Sequence, residues 1–150
     1  MIAHFDCFSG ISGDMSVGAL IDLGVSVEWL EKELRALPLD QFELSAPKVS
    51  LSGIQAVDFQ VTAHDSVTAR DYETIRSLIA ASSLPFGVRD MSLDIFGRIA
   101  EAEANIHGVP LDRVHFHEVG GIDAIVDIVG FCLCVDRLGI SSITASPLPM

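Results

Sequence analysis

Positive charge is scarce in this chain. Nine Lys and Arg stand against 21 Asp and Glu in 150 residues, a formal net charge of −12, and no block of basic residues makes a local exception. Nucleic acid and anionic membranes are held by clustered cations, so neither is an expected partner. Long apolar runs are also missing: the nearest, Ile122 to Leu138, is interrupted by Asp123, Asp127 and Asp136, short of the ~18–20 residues of a membrane span. Cysteines number three, and Cys132 and Cys134 fall two apart in a helical pattern, where they point to different sides. No disulfide framework is expected. The N-terminus, Met-Ile-Ala-His-Phe-Asp, lacks the basic and apolar regions of a secretory signal, so reduced thiols and a cytoplasmic location are expected.

Apolar residues make up 49% and charged residues 20% of the chain, with a mean hydropathy of +0.45. That composition supports one core, and the length suits a single domain over residues 1–150. Ile2 to Phe8 reads as a strand ending in the turn Ser9-Gly10-Ile11-Ser12-Gly13, followed by a helix with Asp14 as N-cap and Gly24 just past its end. A second helix is predicted from about Val27 to Leu37, stopped by Pro38. Phe42–Ala46 and Ile54–Ala63 read as antiparallel strands around Ser52-Gly53. Apolar positions three and four apart predict helices over Tyr72–Ile79 and Val88–Ile106, the second closed by Gly108 and Pro110. Val114 to His117 alternates like a strand, Val119 to Leu138 is apolar on nearly every side and so a buried helix, and Ile143 to Leu148 reads as a last strand. The sum is an α+β fold with a mixed sheet of four or five short strands covered by helices.

Two constellations carry chemistry. In the first, the glycines of the 9–13 turn free backbone N–H groups at a helix N-terminus, a geometry that favours anions. Ser9, Gly10, Ser12, Gly13 and Asp14 are therefore candidates for holding a phosphate. No Gly-Lys-Ser/Thr is present, so this is no P-loop, and Asp14 would repel a bare phosphate unless a cation bridged them. The bland reading is a tight turn capped by Asp14, with Cys7 a small buried hydrophobe. The second constellation is His115-Phe116-His117-Glu118, followed by Asp123 and Asp127. Two His at i and i+2 on a strand face the same way, about 6.5–7 Å apart, and imidazole suits Ni, Zn and Cu. Asp123 and Asp127 fall one turn apart on a helix that reads as buried, where each needs a cation, a backbone N–H or a metal. The bland reading caps the helix with Asp123 and pairs Asp127 with an arginine such as Arg98. His107 reads as a helix-end histidine stabilised by the dipole, and His64 as a loop residue.

Asp-Cys-Phe-Ser-Gly-Ile-Ser-Gly-Asp-Met at 6–15, Gly-Ala-Leu-Ile-Asp-Leu-Gly at 18–24, Ala-Glu-Ala at 102–104 and Val-His-Phe-His-Glu-Val-Gly at 114–120 resemble the N-terminal part of the LarC-type nickel-insertion proteins, and Asp-Ile-Val-Gly at 127–130 and Ser-Pro-Leu-Pro at 146–149 extend the match. The resemblance covers nearly the whole chain. It implies a nickel chelatase, a lyase-type metal insertase, that loads Ni²⁺ into pyridinium-3,5-bisthiocarboxylic acid mononucleotide to form the nickel-pincer nucleotide used by lactate racemase. CTP or another nucleotide with a divalent metal is implied for a C-terminal domain of the same family, so the chain is expected to be an N-terminal fragment. Many members also carry a His-rich insert where this chain has only His64-Asp65-Ser66-Val67-Thr68, so nickel storage by a His tract is not expected.

The expected role is thus the metal-handling part of a nickel-insertion protein. His115, His117, Asp6 and Asp123 are the candidate metal ligands. Forming a Ni–C bond requires loss of a ring proton, for which His115, His117 or Glu118 is the candidate base. A metal-dependent hydrolase using His-x-His is an alternative class, although its barrel scaffold needs about 250 residues. A non-catalytic module that docks onto a separate C-terminal chain is another, and self-association stays open.

Overall fold

In the computed structural model, residues 1–63, 69–116 and 119–149 are described. The core is organised around α5 (Ile122–Arg137), which buries Ile122, Ile125, Val126, Val129, Cys132, Leu133, Cys134 and Val135. Its apolar residues cover most of the circumference, so it has to be enclosed by other elements. α1 (Gly13–Asp22), α2 (Val27–Leu34) and α4 (Phe86–His107) pack against it, and α3 (Tyr72–Ala81) packs on α4. The helices end as their sequence signals direct: Asp71 caps α3 by accepting from the Thr74 N–H at 2.7 Å, and Gly108 closes α4 in the left-handed region at φ 64°. Among the described residues no helix is long and apolar enough to cross a membrane.

The fold is α+β, as expected, but in place of one mixed sheet of four or five strands the described residues form six short strands in three two-stranded ladders. β1 (Ile2–Phe5) pairs in parallel with β6 (Ser142–Ala145), which brings the two ends of the chain together. β2 (Phe42–Ser45) pairs antiparallel with β5 (Gln60–Ala63), and β3 (Lys48–Leu51) with β4 (Ile54–Val57). These two ladders share one register, from Phe42↔Ala63 to Leu51↔Ile54, so they form a single long hairpin. Pro47, which has no N–H to give, interrupts it, and its carbonyl still accepts from the Asp58 N–H at 3.0 Å. At the tip Ser52 and Gly53 both have positive φ, 51° and 84°, the two-residue connection whose twist suits paired strands. The expected two-stranded hairpin is therefore present, with Lys48–Leu51 as additional strand.

Three local expectations are corrected. Asp14 is not the N-cap of α1: Ser12 is, in extended conformation, and Asp14 lies in the first helical turn. The strand expected at Val114–His117 is a 3₁₀ turn at Leu111–Arg113 followed by one antiparallel bridge between His115 and Asp71. The alternation itself is present, with Val114 and Phe116 buried and His115 exposed. No ladder can grow from it, because α3 begins at Tyr72, whose N–H bonds the Val114 carbonyl at 3.2 Å. The helix expected from Val119 starts only at Ile122. Gly120 is used for close approach instead: a Cβ there would lie 2.6 Å from the Arg70 nitrogen, and the Gly120 carbonyl accepts the Arg70 N–H at 3.2 Å.

Candidate functional site

The turn after β1 is built by Gly10, whose φ of 92° lets its N–H return to the Cys7 carbonyl at 3.0 Å. Ser12 then starts α1, and its carbonyl accepts from the Ser16 N–H and hydroxyl at 3.0 and 2.7 Å. The Ser12 hydroxyl and the Met15 N–H both donate to Asp14 Oδ1, the latter at 2.8 Å. Gly13 matters differently. A Cβ there would lie 2.7 Å from Asp127 Oδ2 and 2.8 Å from Asp127 Cβ, so its missing side chain is what allows the start of α1 to rest on α5.

Asp127 thereby meets Asp14 across the junction and Asp123 one turn earlier on its own helix. Burial first, then the negative charges of Asp14 and Asp123, push the Asp127 carboxyl up to about 7, partly offset by a hydrogen bond from the Asp14 backbone N–H. The anion received by the N-terminus of α1 is thus the protein's own Asp127. Its Oδ1 is closed off from solvent and has no hydrogen-bond partner among the described residues. Asp58, at the β4–β5 junction, brings a fourth carboxylate to the same cleft of about 540 Å³, floored by Phe59, Gln60, Val61 and Thr62. No Lys or Arg is among the described residues that line it. Arg98 pairs with Asp94 at 3.0 Å, which overturns its expected pairing with Asp127.

The other expected site residues are placed elsewhere or fall outside the described set. Asp6 and Gly10 line a second groove of about 500 Å³, between β1 and α1. His115 is exposed beside Asp71, whose carboxyl is held low chiefly by its hydrogen bonds from Thr74 and slightly by that imidazole. Ser9 is exposed on the turn. His117 and Glu118 lie outside the described residues, as does His64. Among the described residues no three His, Cys, Asp or Glu side chains are arranged to enclose one metal ion, so Asp6, Asp123 and His115 are not brought together as a ligand set. Burial pushes the Cys132 and Cys134 thiols up to about 11 and about 12, which leaves them protonated and poor metal ligands. His107 lies 3.1 Å from Glu103, consistent with a structural helix-end role.

Sequence reasoning named Asp14 and Asp123 as site residues, placed Asp127 in the second constellation but not among the candidate ligands or bases, and left Asp58 out. The signal for Asp127 was its i, i+4 relation to Asp123 inside an apolar helix. Asp58 carried no signal, since only the hairpin's fold brings it near.

Residues 3–150 match the family model described as nickel insertion protein. The chain belongs to the nickel insertion protein family. A relative from Pelobacter propionicus, named for nickel insertion, is 52% identical over 151 residues, covering 99% of this chain and 38% of that protein. One from Desulfitobacterium hafniense, named pyridinium-3,5-bisthiocarboxylic acid mononucleotide nickel insertion protein, is 47% identical over 146 residues, covering 97% of this chain and 36% of its own length. The chain therefore spans less than two fifths of these nickel insertion proteins. No solved structure matches it.

Proposed function

We propose that this chain is the metal-handling part of an enzyme that inserts Ni²⁺ into pyridinium-3,5-bisthiocarboxylic acid mononucleotide, and that the cleft between α1, α5 and the hairpin is where the metal is presented. The observation that carries this reading is the meeting of the glycine turn with Asp14, Asp123 and Asp127, one of whose carboxyls sits near 7. Nickel is cargo here, so its ligands must compete with water yet release it to the substrate's sulfurs. A cleft lined by Asp14, Asp58 and Asp123, without a closed three-ligand cage, suits transient holding. Because Asp127 takes the N-terminus of α1, Ser9, Gly10, Ser12 and Gly13 meet the substrate phosphate only through a cation shared with Asp14, which removes the repulsion between two anions.

When the Ni–C bond forms, the ring C–H bond breaks and its proton must go to a base. Asp127 is the candidate for that role, since burial raises its proton affinity above that of an ordinary carboxylate. His115, with His117 and Glu118, is the competing base and ligand set. The remaining length of the family architecture contributes the nucleotide-dependent part, with CTP or another nucleotide and a divalent metal, and the reaction is cytoplasmic.

Calorimetric titration of Ni²⁺ into wild type, Asp14→Asn/Asp123→Asn and His115→Ala/His117→Ala tests the assignment. The acidic double variant is expected to lose at least tenfold in affinity. An unchanged affinity there, with loss confined to the histidine variant, moves the metal to His115 and His117.

A further inference from the structure

β1 and β6 make an unusual pair. Parallel strands occur almost always in sheets covered on both faces, and two strands alone make a marginal sheet, yet all four residues of β6 and the outward Ile2 and His4 of β1 are exposed. The Met1 and Phe5 carbonyls accept from the Ser141 and Ser146 N–H groups, and the Thr144 hydroxyl reaches the Ala3 carbonyl. By strand alternation, Ile2 and His4 therefore aim their backbone N–H and C=O groups at the opposite edge, which pairs with no strand among the described residues. That edge opens onto the groove between β1 and α1, whose other wall is Ile11, Met15, Ala19 and Leu23. Met15 and Leu23 are 54% and 65% exposed and Ile2 is 71% exposed. An open edge and an apolar helix face thus border one trough, which is what a further strand laid on β1 would cover.

The occupant follows from length. The chain matches less than two fifths of its nickel insertion relatives, so those proteins carry further chain able to supply a strand, and Ser146, bonded to Phe5 and Cys7, lies beside the end of β1. We infer that the free edge of β1, with the apolar face of α1, is the docking surface for a β-strand from the remaining portion of the nickel insertion protein architecture. The strand extends the β1–β6 ladder and its inward side chains cover Met15 and Leu23. This inference rests on the fold and on family membership, and it stands whether or not the acidic cleft handles nickel.

Hydrogen exchange tests it in two proteins as they exist, this chain and the whole Pelobacter propionicus relative. The Ile2 and His4 amides are expected to exchange rapidly in this chain, and the amides aligned with them at least 100-fold more slowly in the relative. Placing Asp at the relative's positions aligned with Met15 and Leu23 is expected to restore fast exchange at that strand while circular dichroism and the exchange of its α5 equivalent stay unchanged. Equally fast exchange in both proteins overturns the proposal. So does a concentration-dependent dimer of this chain, seen by sedimentation, that slows the Ile2 and His4 amides, because the edge then belongs to a second copy.

Discussion

Replacing Asp127 with Asn should stabilise this protein, and more so as the pH rises. The reasoning starts from a carboxyl raised from its ordinary 3.8 to about 7 by burial and by Asp14 and Asp123. Between those two values the unfolded chain has released the proton while the native state retains it. The native state therefore binds more protons, stability falls as pH rises through the window, and above about 7 the loss is complete. At about 1.4 kcal/mol per pH unit the ceiling is about 4 kcal/mol. Asp127 is only partly buried, and solvent screening of a partly exposed charge brings this to about 2 kcal/mol. Asn has nearly the same volume, its amide oxygen can accept the Asp14 N–H, and it carries no charge for Asp14 and Asp123 to repel. In metal-free buffer the Asn variant is expected to gain about 2 kcal/mol at pH 8 and less than about 1 kcal/mol at pH 5, a rise in Tm of about 4–8 °C at the higher pH for a chain of this size. Thermal and urea melts of both proteins at the two pH values measure it. A variant equal to or less stable than wild type at pH 8 would refute the picture of three mutually repelling carboxylates.

Gly120→Ala should destabilise by about 2 kcal/mol or more, because the new Cβ would sit 2.6 Å from the Arg70 nitrogen and 2.8 Å from its carbonyl oxygen, both backbone atoms that cannot swing aside; urea unfolding reads the cost, and a neutral variant would mean the 70–72 and 114–120 segments are not locked together. Asp71→Ala should cost about 1 kcal/mol through loss of the bond from the Thr74 N–H, whereas Ser12→Ala should cost less than about 0.5 kcal/mol, since the Ser12 side chain makes no capping bond to α1; equal losses in the two variants would contradict the assigned caps.

The helices were legible because apolar residues three and four apart mark a helix wherever one side must pack: the nearly continuous apolar surface of α5 is buried as its pattern requires, whereas in α4 the spacing located the helix but not its inner stripe, which is Val88, Ser92, Phe96 and Ala100 while Ile106 stays exposed. The Ser52-Gly53 turn was legible because few dipeptides accept two positive φ angles in succession. Val114-His115-Phe116 misled for a physical reason. Alternating burial needs only a segment pinned across the core, here by Phe116 between Tyr72 and Phe96 at 6.2 Å from each, while a strand also needs a neighbour with free backbone groups, and α3 denies it one. The acidic cleft was legible in its parts. A glycine-rich turn opening a helix reads the same whether it seats a phosphate or a carboxylate, and only the opposite surface decides which. That surface lies more than a hundred residues away in sequence, and Gly13 joins the two not by a special φ but by the absence of the Cβ that Asp127 would meet. A glycine kept for close approach leaves no periodic trace, so the seat of Asp127 becomes visible only when α1 and α5 are packed together.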